Sequence, residues 1–291
     1  MAKLLLGKEV TDALNANLQN RTAALRDKGL NPTLGIIRVG ANPSDLSYEK
    51  GATARAALGG VDVKKFELPE DATRDDVAAL IDQVNADDTI HGVLMFQPFP
   101  KHLRPYQSEL CNRLDPKKDM DCLTDLSNSG VYQSRSDLGY PPCTPAACME
   151  ILDHYGIDCK GKKAVVIGRS LVVGKPAAMM LMQKNATITI CHTRTVDPAA
   201  VCREADIIIS AAGVLNSLTK DYVREGQVVI DVSMNWNPEK ITTKGKGGMS
   251  GDCVFDEVEP IVEAITPVPG GVGAVTTSVL MKHVVEAAER A

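Results

Sequence analysis

A glycine-containing turn is the first place where this sequence could do chemistry. The apolar run 164–167 leads directly into Gly168, and Gly174 opens an apolar stretch of helical character six residues later. This order predicts a strand, a tight turn and the start of a helix. Such a unit brings backbone N–H groups and the positive end of the helix to a place where a phosphate can bind. The spacing is not that of the G-x-G-x-x-G fingerprint, so a plain strand-to-helix turn stays open as the alternative.

Two other segments concentrate residues that could bind or position a ligand. Residues 117–121 place two carboxylates, Asp119 and Asp121, after two lysines, and alone this pattern is typical of a solvated charged turn. Residues 265–273 contain two prolines and three glycines, which fix a rigid backbone that can approach another group closely. We interpret this second segment as both an interdomain hinge and part of a site.

The cysteines and histidines do not form a recognisable metal site. Eight cysteines are scattered along the chain without a C-x-x-C pair, and the five histidines are equally dispersed. Scattered cysteines of this kind behave as small buried hydrophobes, which we favour over disulfides or zinc ligands. No protein metal site is expected.

Bulk properties narrow the class of protein. A length of 291 residues favours two domains, each with its own core. A net charge of -5 argues against nucleic acid or an anionic membrane as the main partner. No run approaches the roughly 18 apolar residues of a membrane span, and the first residues lack a secretory pattern. We expect a cytoplasmic protein.

Helical and strand patterns alternate over most of the chain. This alternation predicts an α/β fold with parallel strands, whose functional groups lie at the strand carboxyl ends. Prolines make residues 98–145 look irregular, and residues 235–250, with the glycine-rich run 244–248, read as a hairpin or loop. The predicted strands are 33–39, 61–68, 90–96, 164–167, 186–191, 206–210 and 227–232, and the predicted helices are 8–28, 45–58, 74–85, 146–154, 175–184, 197–203, 220–224 and 276–290.

Several motifs together resemble one family, the FolD-type methylenetetrahydrofolate dehydrogenase/cyclohydrolases. Each motif alone is weak, but their order and spacing cover nearly the whole chain. The motifs are residues 35–40, Pro142-Cys143-Thr144-Pro145, Gly168-Arg169-Ser170 with Val173-Gly174 and Pro176, Asn185-Ala186-Thr187 with Cys191-His192, Gly251-Asp252 and residues 266–273.

The resemblance implies two α/β domains around a cleft. A folate-binding catalytic domain would comprise residues 1–143, completed by the C-terminal helix 271–291, and a Rossmann-type NAD(P)-binding domain residues 144–270. The implied reaction is hydride transfer from 5,10-methylenetetrahydrofolate to a nicotinamide, which depends mainly on alignment. A second family activity, hydrolysis of the methenyl product to 10-formyltetrahydrofolate, needs protons moved. A homodimer is also implied.

The resemblance also implies roles for individual residues. Tyr48 would stack on the folate ring and Asp121 would hydrogen-bond the pterin, which replaces the solvated-turn interpretation. Lys50 and Gln97 are the remaining candidates for catalytic groups. The implied substrate-binding residues are Tyr48, Ala52, Met95, Phe96, Gln97, Asp121, Pro269, Gly270, Gly271, Val272 and Gly273. The implied cofactor-binding residues are Gly168, Arg169, Ser170, Val173, Thr193, Arg194, Gly213, Met234 and Thr276.

The sequence departs from the family pattern where water would be activated. The family has Tyr-x-x-x-Lys, but here the fourth residue after Tyr48 is Ala52. Lys50 lies about 200° round the helix from Tyr48, and Arg55 returns to the same face roughly 10 Å further along the axis. Phe96 stands where the family has a glutamine, and Gln97 would need a bulge to take its place.

These departures predict a dehydrogenase whose cyclohydrolase activity is weak or lost. In the alternative, Lys50, Arg55 or Gln97 reaches the same place and the protein is fully bifunctional. A catalytically silent folate or nucleotide binder is a rival of another class. A hydroxy-acid dehydrogenase is disfavoured because no histidine or lysine is placed as its general base.

The residues after the strand 186–191 bear on cofactor choice. An NAD-binding site would carry a carboxylate there, whereas this chain has Thr193 and Arg194, with Arg169 a further cation. Cations favour a 2′-phosphate, so NADP is predicted and NAD is the alternative. Thr193 departs from the serine common in the family.

Overall fold

The computed structural model describes residues 1–243 and 245–291, and the chain forms two compact units. The six-strand unit comprises residues 1–11 and 144–276, and the three-strand unit comprises residues 12–143 and 277–291. The break at residue 143 coincides with the boundary expected from the sequence. Two segments differ from that expectation. Residues 1–11 belong to the six-strand unit, where strand Lys3–Leu4 pairs with strand Ala264–Ile265. Residues 271–276, expected in the folate-binding domain, also belong to the six-strand unit.

The secondary-structure elements alternate as the sequence pattern predicts. In chain order the strands are β1 (Lys3–Leu4), β2 (Thr33–Val39), β3 (Asp62–Leu68), β4 (Gly92–Met95), β5 (Lys163–Ile167), β6 (Thr187–Cys191), β7 (Ile207–Ser210), β8 (Val228–Asp231), β9 (Asn235–Thr242), β10 (Gly245–Ser250) and β11 (Ala264–Ile265). The helices are α1 (Gly7–Arg26), α2 (Pro43–Gly59), α3 (Arg74–Ala86), α4 (Gln107–Asn112), α5 (Asp125–Gln133), α6 (Cys143–His154), α7 (Gly174–Gln183), α8 (Pro198–Arg203), α9 (Phe255–Val258) and α10 (Val272–Glu289), with 3₁₀ turns at Arg104–Tyr106 and Lys220–Tyr222.

The three-strand unit is built on a parallel sheet of order β3-β2-β4. Every residue of the central strand β2 is buried, although its mostly apolar sequence includes Arg38. The chain passes from β2 to β3 on one side and then returns to β4 on the other. The carboxyl ends of β2 and β4 therefore flank a topological switch point, where such sheets bind ligands.

The six-strand unit has the order β1-β11-β8-β7-β5-β6, and all its strand pairs are parallel. Strand β6 lies on one side of β5 and β7 on the other, so the switch point follows β5. This is the doubly wound, Rossmann-type arrangement that the sequence predicts, with the turn at Gly168 at its switch point. A separate antiparallel pair, β9 and β10, forms the predicted hairpin, with Lys244 outside the described residues.

The cysteines contribute to the cores of the two units. All eight are buried, and three of them, Cys191, Cys202 and Cys253, pack in one cluster with Val165, Ile208 and other apolar residues of the six-strand sheet. The prediction that they act as small hydrophobes is confirmed. In the described residues, no helix has both the length and the apolar character required to cross a membrane.

The segment predicted to be irregular is the largest error at the level of elements. Residues 98–145 contain α4 and α5, and α6 already starts at Cys143. Helix α4 has only six residues, too few for a periodic pattern, and α5 is stabilised by the Thr124 side chain, which accepts a hydrogen bond from Ser127 N. The helix predicted at 220–224 is a short 3₁₀ turn, and α10 begins at Val272 and not at Thr276.

Candidate functional site

The turn between β5 and α7 is closed by two glycines that touch. Gly168 has φ +122°, and a Cβ there would collide with the carbonyl oxygen of Ala211. A Cβ on Gly174 would collide with the carbonyl group of Gly168. The two glycines therefore allow a tight backbone cradle at the switch point, although their spacing differs from the common fingerprint.

Polar groups at this turn fit the phosphates of a dinucleotide. Ser170 Oγ accepts hydrogen bonds from Val173 N (3.1 Å) and Gly174 N (3.4 Å), two backbone groups at the start of α7. Arg169 and Ser170 are exposed, while Val173 is half-buried. A cradle that excludes a Cβ, a helix amino end and an exposed guanidinium together suit an anionic cofactor.

The other predicted cofactor residues follow neighbouring strands of the same sheet. Thr193 and Arg194 lie exposed after β6, and Gly213, with φ +67°, lies exposed after β7. Met234 follows β8 and is 53% exposed. Thr276 differs from these, since it is 9% exposed within α10 and its Oγ1 donates to Gly273 O (3.3 Å).

Segment 269–273 also belongs to the six-strand unit. It lines a cavity of about 230 Å³ together with Asp231, Val232 and Met234. Gly7 N donates to Gly270 O (2.8 Å), and this hydrogen bond connects segment 269–273 to the start of α1. Pro269, Gly270 and Gly273 are exposed, whereas Gly271 and Val272 are buried.

Asp252 receives hydrogen bonds from two of the loops that carry predicted cofactor residues. Its side chain is fully buried, and sequence reasoning found its motif without assigning it a role. Its donors are Ser210 Oγ, Ala212 N, Gly213 N and Ser233 Oγ to Oδ2, and Val214 N and Asn235 Nδ2 to Oδ1.

A second buried carboxylate, Asp231, lies at the end of β8. Its Oδ1 accepts Asp252 N (3.0 Å) and its Oδ2 accepts Cys253 N (2.9 Å). Burial raises the pKa of Asp231 to about 6, against the effect of these hydrogen bonds. Sequence reasoning missed this residue, whose only signal is a carboxylate that ends an apolar strand.

Replacing Asp231 with asparagine should change how stability depends on pH. Because the folded-state pKa lies above the unfolded value, the folded protein binds more protons between pH 4 and 6, and its unfolding free energy falls as pH rises. Between pH 5 and 7.5, titration of Asp231 should lower the unfolding free energy of the wild type by about 1 kcal/mol. The Asp231→Asn variant lacks this titrating group and should not show that decrease. Urea unfolding of both proteins at the two pH values measures the difference. Parallel pH profiles would contradict it.

In the three-strand unit, the structure brings Tyr48 and Phe96 together at the switch point. Their ring centroids are 5.9 Å apart in an edge-to-face arrangement. Tyr48 is 38% exposed, so part of its ring remains available for stacking. Ala52, one helical turn further along α2, is fully buried, and Met95 is buried at the end of β4.

The structure places Gln97 against α4. Gln97 Nε2 donates to Cys111 Sγ (2.6 Å), and its Oε1 accepts Gln107 Nε2 (3.1 Å). Lys50 is exposed on α2 and Arg55 is half-buried. These contacts commit the Gln97 amide to neighbours other than Tyr48.

Asp119 and Asp121 are not a solvated turn. Asp119 is fully buried and accepts Leu123 N (2.9 Å) and Thr124 N (2.8 Å), so it fixes the segment that follows. Asp121 is half-buried, and its Oδ1 accepts Cys143 N (2.8 Å). Burial raises the pKa of Asp121 from its ordinary value.

A buried ion-pair network holds α2 against the sheet of the three-strand unit. Glu49, next to Tyr48, pairs with Arg38 on β2 (3.0 Å) and with Lys65 on β3 (2.7 Å). Arg38 also pairs with Glu67 (3.0 Å). Burial alone would raise the pKa of Glu49, but hydrogen bonds and charges from Lys65 and Arg38 hold it below its ordinary value. Sequence reasoning missed this network.

Comparison with known families covers both units. The model of the tetrahydrofolate dehydrogenase/cyclohydrolase catalytic domain matches residues 5–121, and that of the NAD(P)-binding domain of the same family matches residues 142–291. The chain belongs to the tetrahydrofolate dehydrogenase/cyclohydrolase family. The family resemblance inferred from the motifs is therefore confirmed.

Individual relatives of this family member match along their whole length. The bifunctional protein FolD of Carboxydothermus hydrogenoformans is 50% identical, over 99% of this chain and 98% of the relative. The crystal structure of bifunctional FolD from Campylobacter jejuni has a TM-score of 0.91 at 35% identity and covers 100% of this chain and 99% of that one. The FolD of Trypanosoma brucei, solved with NADP cofactor and inhibitor, has a TM-score of 0.89 at 31% identity, over 99% and 98% of the two chains.

Proposed function

We propose that this family member oxidises 5,10-methylenetetrahydrofolate with NADP and hydrolyses the methenyl product to 10-formyltetrahydrofolate. The observation that carries the proposal is the end-to-end match, at 50% identity, to a relative named as bifunctional. NADP is supported by the cofactor bound to the Trypanosoma brucei FolD and by the exposed cations Arg169 and Arg194. NAD is the alternative cofactor.

The chain's own residues would bind and align the reactants. The turn at Gly168, with Arg169 and Ser170, would hold the cofactor phosphates, and bound NADP would supply a hydride acceptor. The ring of Tyr48 would stack on the folate, and Asp121 would hydrogen-bond the pterin. Because the nitrogen lone pairs of the substrate expel the hydride, this step requires little acid or base help, and alignment supplies most of the rate.

A second candidate is a dehydrogenase with slow hydrolysis. The specific observation in its favour is the trio Ala52, Phe96 and Gln97: a buried methyl group and an aromatic ring occupy the expected lysine and glutamine positions, and the Gln97 amide is bound elsewhere. Ala52 and Phe96 carry no amide or amine, and the Gln97 amide is hydrogen-bonded to Cys111 and Gln107. The relatives' bifunctional names favour the first candidate.

One assay separates these candidates. Purified protein is mixed with 5,10-methylenetetrahydrofolate and NADP or NAD, and reduced cofactor and methenyltetrahydrofolate absorbance are recorded together. Reduced cofactor without methenyl accumulation supports the bifunctional enzyme. Reduced cofactor with methenyl accumulation supports slow hydrolysis. No reduction with either cofactor would leave a protein that only binds folate or nucleotide.

Tyr48 provides a test of the substrate assignment. Tyr48→Ala should raise KM for methylenetetrahydrofolate about 10-fold, because the stacking surface is lost, while KM for NADP stays unchanged. Tyr48→Phe keeps the ring and serves as the matched control, with KM within about 3-fold of the wild type. Steady-state kinetics with each substrate varied in turn measure both effects. An unchanged folate KM in Tyr48→Ala would remove Tyr48 from the substrate site.

We also propose that the protein is a homodimer, as the family resemblance implies. Light scattering on the eluted chromatographic peak measures the mass directly. A mass near that of one 31.1 kDa chain would contradict the proposal.

A further inference from the structure

The buried side chain of Asp252 links two loops that are distant in sequence. Loop 211–214 follows β7 and contributes three backbone donors: Ala212 N at 2.8 Å, Val214 N at 2.9 Å and Gly213 N at 3.3 Å. Loop 233–235 follows β8 and contributes Ser233 Oγ at 2.9 Å and Asn235 Nδ2 at 3.0 Å. Both loops leave the carboxyl edge of the sheet, on the side of β5 that carries β7 and β8.

These contacts fix the position of the loops relative to each other. Ser233 Oγ also accepts Gly213 N (3.1 Å), so the two loops are joined directly as well as through Asp252. Backbone N–H groups cannot rotate away from their acceptor without moving the chain. A carboxylate that accepts three of them therefore sets the course of loop 211–214.

The position of Asp252 is itself fixed by contacts with Asp231. Its own N–H donates to Asp231 Oδ1, and Gly251 is so close to Asp231 that a Cβ there would collide with the carboxyl group. The buried pair Asp231 and Asp252 therefore connects the end of β8 with both loops. Asp231 and Asp252 are buried, and Ser233 and Asn235 are half-buried.

We propose that Asp252 is a positioning residue that sets the loops binding the pyrophosphate and nicotinamide portions of NADP, and that it does not affect the adenosine portion. This inference rests on the proposed NADP function, under which Gly213 and Met234 lie on those two loops and Thr193 and Arg194 bind the adenosine side. Asp252 acts through the loops and needs no contact with the cofactor.

The test compares NADP with its adenosine fragment, 2′,5′-ADP, on the full chain. In Asp252→Asn, whichever way the amide turns, an NH₂ group faces a backbone N–H of loop 211–214 that had an oxygen acceptor. We expect the Kd for NADP to rise about 10-fold or more while the Kd for 2′,5′-ADP stays within about 2-fold. Asp256→Asn, an exposed carboxylate on α9, is the matched control and should change neither value.

A milder variant protects the test against misfolding. Ser233→Ala removes one donor to Asp252 and one of the two acceptors of Gly213 N, and should raise the Kd for NADP about 3-fold or more with the same selectivity. Loss of both ligands to the same extent in a folded variant, or no loss of either, would overturn the proposal. Wild-type protein that binds 2′,5′-ADP and NADP equally well would also overturn it. Wild-type protein that binds neither ligand would instead refute the NADP function itself.

Discussion

Replacing Gly168 with alanine is expected to weaken NADP binding at least about 30-fold and to reduce dehydrogenase activity at low NADP by the same factor. Gly168 has φ +122°, a conformation that L side chains rarely adopt, and an alanine Cβ would collide with Ala211 O. Relief of this collision must move either the phosphate-binding turn or the start of loop 211–214. Both belong to the proposed cofactor site, so isothermal titration with NADP should detect the change directly.

Gly161→Ala is the matched control for Gly168→Ala. Gly161 also has a positive φ, +73°, in the same unit, but a Cβ there would have no atom within 4 Å. It should cost about 1 kcal/mol in stability through backbone strain and leave NADP binding unchanged. Equal NADP affinity in Gly168→Ala and Gly161→Ala would show that the turn does not hold the cofactor.

Glu49→Ala is expected to lower the unfolding free energy of the protein by about 3 kcal/mol. The Glu49 side chain is 7% exposed and forms ion pairs with both Arg38 and Lys65. The Arg38 side chain is also 7% exposed. Removal would leave the Arg38 guanidinium buried beside Glu67, a carboxylate that is itself 54% exposed. Urea unfolding followed by circular dichroism measures the loss. The variant should also show a raised KM for folate, since α2 carries Tyr48.

Glu67→Ala is the control for the ion-pair network. It removes the exposed partner of Arg38 and should cost less than about 1 kcal/mol. Because the pKa of Glu49 is lowered in the folded state, its stabilisation is present above its unfolded pKa and is lost as pH falls through the folded value. The gap between wild type and Glu49→Ala should therefore narrow below about pH 4. A constant gap at all pH values would contradict the assignment.

Most strands of the two parallel sheets could be predicted from the sequence, because they are short apolar or alternating runs bounded by turn residues. Residues 33–39 are predicted and observed as β2, and the apolar run before Gly168 becomes β5. Strands β1 and β11 could not be predicted, because each has two residues and is defined only by its pairing with a neighbour. Helices α4 and α5 are too short for their periodicity to stand out among prolines.

The candidate site divides in the same way. The turn at Gly168 is a local feature, so residue spacing alone indicates it. The Asp252 contacts join Ser210 and Ser233, which lie 42 and 19 residues before it, and only the strand order brings them together. The role of Gln97 also depends on a distant segment, since Cys111 lies 14 residues away. Long-range hydrogen bonds of this kind leave no periodic pattern in a sequence.

The placement of residues 1–11 and 277–291 makes each unit discontinuous in sequence. The chain changes units after Thr11, after Cys143 and after Thr276. A gene divided after codon 143 would therefore encode two incomplete products. The first would lack α10 and the second would lack β1. Recombination that exchanges the six-strand unit between relatives would require three junctions. Because each unit consists of two separate chain segments, a single cut in the gene cannot separate the two units.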